Sequence, residues 1–230
     1  MKSYYFLCSL PRAGNTILGS IINQSKNLRL SSNSILPETI YKLFLLKQDE
    51  IFRNFPDHNS LNNIIKNVFK NYYKDWKEDH IITRGVWGTP INLQLLKSII
   101  KQPKFIILHR PVSECVASFI KIEKPINVED RSKALLREDG IVGKSLISIN
   151  NIISQEDHII INYHDFVKNP QNEINRICEY LKINSFKIDL NNIKQFSTNG
   201  IYYDDEVLPF NLHKIKTNWI KWNIKLKKTF

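Results

Sequence analysis

The stretch F-L-C-S-L-P-R-A-G-N-T, residues 6–16, decides the fold of this chain. Its apolar run breaks into a short Pro-Arg-Ala-Gly-Asn-Thr turn, and a helical pattern follows over residues 17–22. A strand, a tight basic turn and a helix in that order present backbone N–H groups and a helix N-terminus to a phosphate. The turn therefore predicts a site for an anionic nucleotide.

The same turn departs from the Walker A pattern of ATPases and kinases. That pattern is G-x-x-x-x-G-K-[ST], whereas here Asn15 occupies the lysine position and Ser9 the first glycine position. An ordinary ATPase or kinase is therefore disfavoured. Asp165, which closes a later apolar segment, resembles a Walker B acid but has no Walker lysine as its partner.

Short apolar segments alternate with helical patterns along the chain. The predicted strands are residues 4–9, 80–83, 104–109 and 158–162, and the predicted helices are residues 16–24, 38–46, 61–76, 92–100, 112–120, 131–153 and 170–181. This alternation predicts a three-layer α/β fold, with a mostly parallel sheet of four to five strands flanked by helices, like that of P-loop NTPases. Without a linker or an internal repeat, residues 1–230 are expected to form a single domain.

Composition narrows the classes of function. The net charge of +11 fits a nucleic acid, a membrane surface or an acidic substrate, but the lysines are spread along an Ile- and Asn-rich chain, so a bias in codon usage explains the charge equally well. No basic block with interleaved aromatic residues indicates nucleic acid. Three widely separated cysteines fit a reducing compartment, and neither a signal peptide nor a transmembrane span is indicated, so a cytoplasmic location is expected.

A second anion-binding pair follows the third predicted strand. Arg110 comes directly after that strand, and Ser118 lies about two turns along the helix that Pro111 favours. A guanidinium and a hydroxyl placed in this way can share one phosphate. Taken alone, the pair also fits an arginine that caps a helix and a serine that merely packs. Because ligands of parallel sheets bind beyond the carboxyl ends of the strands, we expect the pair to lie near residues 11–16.

Together these segments resemble the sulfotransferase family that uses 3′-phosphoadenosine 5′-phosphosulfate (PAPS). Its 5′-phosphosulfate loop is similar to P-[RK]-[SA]-G-x-T, and its 3′-phosphate motif is an arginine after a strand with a serine eight residues on. The segment I-I-I-N-Y-H-D-F-V-K-N-P resembles the family's Tyr-Glu-Asp-Leu-x-x-x-Pro. The matching residues are Pro11, Arg12, Ala13, Gly14, Asn15 and Thr16, then Arg110 and Ser118, then Tyr163, Asp165, Phe166 and Pro170.

The resemblance implies a sulfotransferase that moves a sulfuryl group from PAPS to a hydroxyl or amine acceptor and releases adenosine 3′,5′-bisphosphate (PAP). Arg12 would neutralise the departing phosphate, which the amides of the loop and the Thr16 hydroxyl would hold at the helix start. Arg84, after the second predicted strand, would stabilise the transferring group electrostatically. The two anion pockets are expected to lie about one adenosine apart, and no metal is implied.

Further positions follow from the same resemblance. Glu38 fits the place of a general base, although an acid after Pro37 also suits the first turn of a helix, and His58 is the next candidate. Ser197, Lys214 and Lys216 resemble late loops that cover the 3′-phosphate and adenine, and residues 199–206 have the polarity of a lid. Trp87 either stacks on a ligand or belongs to the core.

The acceptor is left open among small molecules, carbohydrates, lipids and peptides, as is the oligomeric state. Two other functions also stay open. One is a nucleotide or small-molecule kinase with a degenerate P-loop, in which the Arg110/Ser118 pair would have no role. The other is a nucleotide-binding protein on the same fold that lacks a catalytic base.

Overall fold

The computed structural model describes residues 2–31 and 34–194, together with the backbone of residues 197–198 and 201–202. Its main sheet has five parallel strands, β1 to β5. They are Ser3–Ser9, Leu28–Ser31, His80–Arg84, Phe105–His109 and His158–Asn162. Two short antiparallel strands, β6 (Ser197–Thr198) and β7 (Ile201–Tyr202), form a separate ladder. The predicted α/β class with a parallel sheet is confirmed.

The order of the main sheet is β2-β3-β1-β4-β5, so β1 is central. The chain leaves β1 toward β2 and β3 on one side, and leaves β4 toward β5 on the other. The carboxyl ends of β1 and β4 therefore flank the topological switch point, where sheets of this kind bind ligands. The two strands are in register, with Ser9 opposite Leu108, so the residues that follow each strand emerge side by side.

Ten α-helices are described, and most of them connect strands. They are α1 (Asn15–Ile22), α2 (Leu36–Leu45), α3 (Glu50–Asn54), α4 (His58–Tyr72), α5 (Pro90–Ile99), α6 (Val112–Glu123), α7 (Val128–Leu136), α8 (Ile141–Gln155), α9 (Tyr163–Lys168) and α10 (Pro170–Leu181). A 3₁₀ turn, Leu46–Gln48, follows α2. All seven predicted helices have a counterpart, with bounds shifted by up to four residues except over residues 131–153.

The long helix predicted over residues 131–153 is wrong, because the chain breaks there into α7 and α8. Gly140 caps α8, and its backbone lies so close to the end of α7 that an added Cβ would be 2.4 Å from the carbonyl oxygen of Ala134. Helically spaced apolar residues on both sides concealed the turn, whose signal was Asp139-Gly140.

Strand β2 was not identified from the sequence. It is only four residues long and carries Arg29 between two leucines, so its apolar pattern is weak. The side chain of Asn23 fixes it in place, accepting a hydrogen bond from the Leu30 amide at 2.7 Å and donating one to the Leu30 carbonyl at 3.3 Å. This strand brings residues 34–38 to the same sheet edge as β1 and β3.

The core beneath that edge is rich in aromatic rings. Trp87 is 1% exposed, packs edge-on against Phe6 and donates its indole N–H to the carbonyl oxygen of Thr83 at 3.1 Å. The structure therefore supports the interpretation of Trp87 as a core residue. Within the described part of the chain, no helix has the length and apolar character needed to cross a bilayer.

Candidate active site

The loop between β1 and α1 has an unusual backbone. Arg12 and Gly14 both have positive φ angles, 68° and 99°, which turn the chain sharply at the helix start. The Ala13 amide bonds the Leu10 carbonyl at 3.3 Å, but the amides of Gly14, Asn15 and Thr16 have no acceptor among the described residues. Unpaired amides at a helix N-terminus are suited to binding an anion.

The ring of Tyr163 packs against this loop at Gly14. A Cβ added to Gly14 would lie 2.7 Å from Cε2 of the Tyr163 ring, so the ring occupies the space that any side chain would need. Glycine is therefore required at position 14 both by its left-handed backbone and by the contact with Tyr163. Burial raises the pKa of Tyr163.

Arg110 lies beside the loop with only 8% of its surface exposed. Its Nη1 donates to the Arg12 carbonyl at 2.9 Å, its Nε donates to Glu114 Oε2 at 2.8 Å, and its guanidinium stacks 4.4 Å from the centre of the Tyr163 ring. Three contacts from three elements fix the direction of the guanidinium. A buried arginine held in this way is pre-organised for an anionic group.

The structure places Ser118 beside the loop, in contact with Arg12. Ser118 lies on α6 as expected, but its hydroxyl accepts a hydrogen bond from Nε of Arg12 at 3.3 Å and not from Arg110. Arg110 also contacts the loop directly through the Arg12 carbonyl, so the two predicted anion sites are neighbours. In a nucleoside 3′,5′-bisphosphate both phosphates are attached to the ribose, so the pockets must be close together.

Glu114 and His164 extend this cluster and were not identified from the sequence. His164 Nε2 lies 2.9 Å from Glu114 Oε1, while Oε2 of the same carboxylate pairs with Arg110. Burial raises the pKa of Glu114, but the hydrogen bonds from Arg110 and His164 together outweigh it, so the pKa is lowered from its usual value. The spacing of Arg110 and Glu114, four residues apart at a helix start, was the signal available in the sequence.

A polar chain links the loop to β3. Nε of Arg84 donates to the Ser9 hydroxyl at 3.2 Å, the Ser9 hydroxyl donates to Oδ1 of Asn15, and Nδ2 of Asn15 donates to the Leu10 carbonyl at 2.9 Å. Asn15 is 7% exposed and both ends of its amide group are hydrogen-bonded within the protein, so its side chain braces the loop. The residue at the Walker lysine position therefore has a structural role here.

Glu38 lies in the first turn of α2, opposite the start of α8. Its Oε1 is 3.5 Å from Nζ of Lys144, and both side chains are about half exposed, at 47% and 46%. The two interpretations of Glu38, as a general base and as a helix first-turn acid, are compatible, because Glu38 lies in the first turn of α2 and also lines the cavity. His58 begins α4, packs against Phe52 and does not line the cleft.

These elements enclose a cavity of about 560 Å³ at the carboxyl edge of the sheet. Its cationic lining residues are Arg12, Arg84 and Arg110. Its other lining residues are Ser9, Pro11, Gly14, Asn15, Thr16, Ile17, Ser34, Ile35, Pro37, Glu38, Gly85, Val86, Phe119, Ile141, Ser145 and Tyr163. Burial and the neighbouring charge of Arg110 lower the pKa of Arg12, as expected for two cations that face the same space.

Most of the predicted site residues are brought together in or beside this cavity. Ala13 is fully buried beneath the loop, and Ser118 lies at its side. The side chain of Ser197, together with Lys214 and Lys216, lies outside the described residues, as does most of segment 199–206. In the described part of the chain, no group of His, Cys, Asp and Glu side chains is placed to hold a metal ion.

The sheet order, the loop at the switch point and the absence of a Walker lysine define an α/β protein of the P-loop-like class. The chain belongs to the sulfotransferase family, because the model of that family matches residues 5–187. No curated protein matches the chain.

Solved structures with a similar fold include three sulfotransferases. The sulfotransferase domain from the curacin biosynthetic pathway is 17% identical, with a TM-score of 0.56 and coverage of 99% of this chain and 98% of that one. The domain from the Synechococcus PCC 7002 olefin synthase is 16% identical, with a TM-score of 0.61 and coverage of 100% and 94%. Mouse sulfotransferase SULT7A1 complexed with PAP is 14% identical, with a TM-score of 0.58 and coverage of 100% and 83%. At these sequence identities the likeness shows a shared fold and nothing more.

Proposed function

We propose that this chain transfers a sulfuryl group from PAPS to a hydroxyl or amine acceptor and releases PAP. The observation that carries this proposal is the contact between buried Arg110 and a loop whose amides at Gly14, Asn15 and Thr16 have no acceptor in the part of the chain that the structure describes. Two neighbouring anion sites fit a nucleotide phosphorylated at both C3′ and C5′. A kinase has no use for the second site.

The proposed roles follow the positions in the cavity. The loop, with Pro11, Ala13 and the Thr16 hydroxyl, holds the 5′ end of the donor, while Arg110 and Ser118 bind or orient the 3′-phosphate, with Tyr163 packed behind them. Bound PAPS supplies an activated sulfur–oxygen bond to phosphate, which breaks as a bond from sulfur to the acceptor oxygen forms. Ser197, Lys214 and Lys216 remain proposed contacts of the same nucleotide.

Arg12, Arg84 and Glu38 are the proposed catalytic residues. Arg12 faces the cavity from the loop, and Arg84 is aimed by its bond to Ser9, so both cations oppose negative charge that builds up during transfer. Glu38, across the cavity, takes the proton of the acceptor hydroxyl. Neither arginine serves as a base, since a guanidinium stays protonated near neutral pH.

We also propose that residues 1–230 act as one domain and that the protein works in the cytoplasm without a metal. Cys8, Cys115 and Cys178 are free and buried in the structure, which is compatible with a reducing compartment. The anhydride of PAPS is already activated, so transfer needs positioning and positive charge more than a Lewis acid.

Nucleotide-dependent stabilisation tests the proposal. PAP at 100 times its dissociation constant adds about 2.7 kcal/mol of stability, or about 5–10 °C in melting temperature, whereas ATP with Mg²⁺ should add much less. Stronger stabilisation by ATP with Mg²⁺ would point to a kinase instead. Stabilisation by PAP without turnover of PAPS by any acceptor would point to a non-catalytic binding protein.

The variant Arg110→Ala separates the two anion sites. It should remove the preference for PAP over adenosine 5′-monophosphate, a change of roughly 10- to 150-fold from the loss of charged hydrogen bonds. Arg137→Ala is the matched control, since Arg137 pairs with Asp139 on the surface and is well exposed. An Arg110→Ala protein with an unchanged preference would refute the assignment.

A further inference from the structure

The cavity wall away from the phosphate loop, residues 10–14 between β1 and α1, is apolar and open to solvent. Ile35 precedes α2 and Ile141 begins α8, and they are 60% and 55% exposed although both line the cavity. Pro37, Val86 and Phe119 are further apolar residues of the cavity lining. Binding of a hydrophobic ligand over exposed apolar side chains in a cavity is favourable, because it removes apolar surface from water.

The two serine hydroxyls on this wall already have partners within the protein. The Ser145 hydroxyl donates to the Ile141 carbonyl at 2.8 Å, and the Ser34 hydroxyl accepts from the Leu36 amide at 3.2 Å. A sugar would bury several hydroxyl groups here, and each needs a partner to offset its desolvation. The wall is therefore poorly suited to a polyol.

The charged side chains beside the apolar wall form an ion pair. Glu38 and Lys144 form an ion pair across the opening, with a separation of 3.5 Å. Arg12, Arg84 and Arg110 are grouped toward the phosphate loop, where the anionic groups of a nucleotide would face them. Among the described residues, Glu38 and Lys144 satisfy each other at this wall, so an acceptor with a net charge of its own would meet no unmatched opposite charge there.

Building on the function proposed above, we propose that the acceptor is an uncharged alcohol on a hydrocarbon body, which lies against Ile35, Phe119 and Ile141. Its hydroxyl points toward Glu38 and the sulfuryl group. In the transfer, the acceptor oxygen forms the new bond to sulfur, Glu38 receives the hydroxyl proton, and the bond between sulfur and the phosphate oxygen breaks so that PAP leaves with that electron pair. Binding strength should then increase with the apolar area of the acceptor.

A homologous series of acceptors tests this inference. With labelled PAPS, straight-chain primary alcohols from ethanol to octanol should show kcat/KM rising about three- to fourfold per methylene group, the factor that corresponds to about 0.8 kcal/mol, until the wall is covered. Glucose and an ω-hydroxy carboxylate of matched length should be poorer acceptors than hexanol. A flat series, or a preference for the sugar or the anion, would overturn the inference.

Variants of the wall provide the second arm. Ile35→Ser and Ile141→Ser should each flatten the dependence on chain length while PAP stabilises the variant as it does the parent. Ile126→Ser is the matched control, because Ile126 is fully exposed and lies outside the cavity lining. A slope that survives both wall variants would overturn the inference.

The two proposals fail in different ways. If PAP stabilises the protein but none of the alcohols is sulfated, the acceptor class is wrong and the cofactor assignment stands. If PAP does not stabilise the protein at all, the proposed function falls, and the inference that rests on it falls with it.

Discussion

The two ends of the cavity are built differently. At the nucleotide end, Arg110 has three fixed contacts and Asn15 is held on both sides of its amide group. At the acceptor end, one ion pair of half-exposed side chains, Glu38 and Lys144, spans the opening beside exposed isoleucines. The first arrangement favours one rigid ligand geometry, and the second tolerates acceptors of different shape. Donor specificity and acceptor tolerance can therefore change independently.

The largest effect is expected at the acceptor end. If Glu38 is the base, Glu38→Gln should lower kcat by about 10²- to 10⁴-fold and leave PAP binding unchanged, because the amide cannot take a proton. Steady-state kinetics together with thermal shift measure both. Glu129→Gln, at an exposed surface ion pair, is the matched control. A Glu38→Gln enzyme with normal kcat would place the base elsewhere.

Arg12→Ala should have the next largest effect and should appear at the nucleotide end. Removing a cation that opposes charge in the transition state costs about 10²- to 10³-fold in kcat. PAP binding should largely persist, since Arg110 and the loop amides remain. If the variant binds PAP weakly but turns over at the normal rate, Arg12 contributes to binding alone and the catalytic cation is another residue.

Gly14→Ala tests the rigidity of the nucleotide end. The new Cβ would meet the Tyr163 ring at 2.7 Å on a backbone with φ of 99°, so we expect a loss of about 1–3 kcal/mol in unfolding free energy and weaker PAP binding. Urea unfolding with and without PAP measures both losses. Tyr163→Phe keeps the ring and should change stability much less. Equal stability of Gly14→Ala and the parent would show that the loop is adaptable.

The smallest effect concerns pH. The pKa of Glu114 is lowered in the folded protein, so its pairing stabilises the fold above the ordinary carboxyl pKa of 4.5 and is lost as pH falls through the lower folded value. Glu114→Gln should therefore lower the melting temperature by a few degrees at pH 7, and the difference should shrink toward pH 3. A difference that is constant from pH 7 to pH 3 would contradict this role.

The nucleotide end was readable from the sequence because backbone geometry dictates its residues. Gly14 must be glycine at its φ angle, and the strand that precedes the loop is a continuous apolar run. The position of Arg110 after β4 followed from the same rule of parallel sheets, and its proximity to the loop is confirmed. These residues carry local signals that need no knowledge of distant partners.

The side-chain pairings could not be read in this way. The bond from Arg12 to Ser118 and the contact of His164 with Glu114 join residues that are far apart in sequence, and several hydroxyls could have served equally well. Strand β2 was missed because its four residues are stabilised by Asn23 and by pairing with β3 more than by their own pattern. The acceptor wall depends on where α2 and α8 pack, which no local pattern specifies.

The packing of Tyr163 against Gly14 also bears on how the protein is made. The loop emerges from the ribosome early, but its tyrosine partner belongs to α9, after the last strand of the main sheet. Contacts of such long sequence separation require the closing of a long loop, which slows folding. A nascent chain halted before residue 158 would lack both β5 and the ring behind the loop, so nucleotide capture should begin only when synthesis is well advanced.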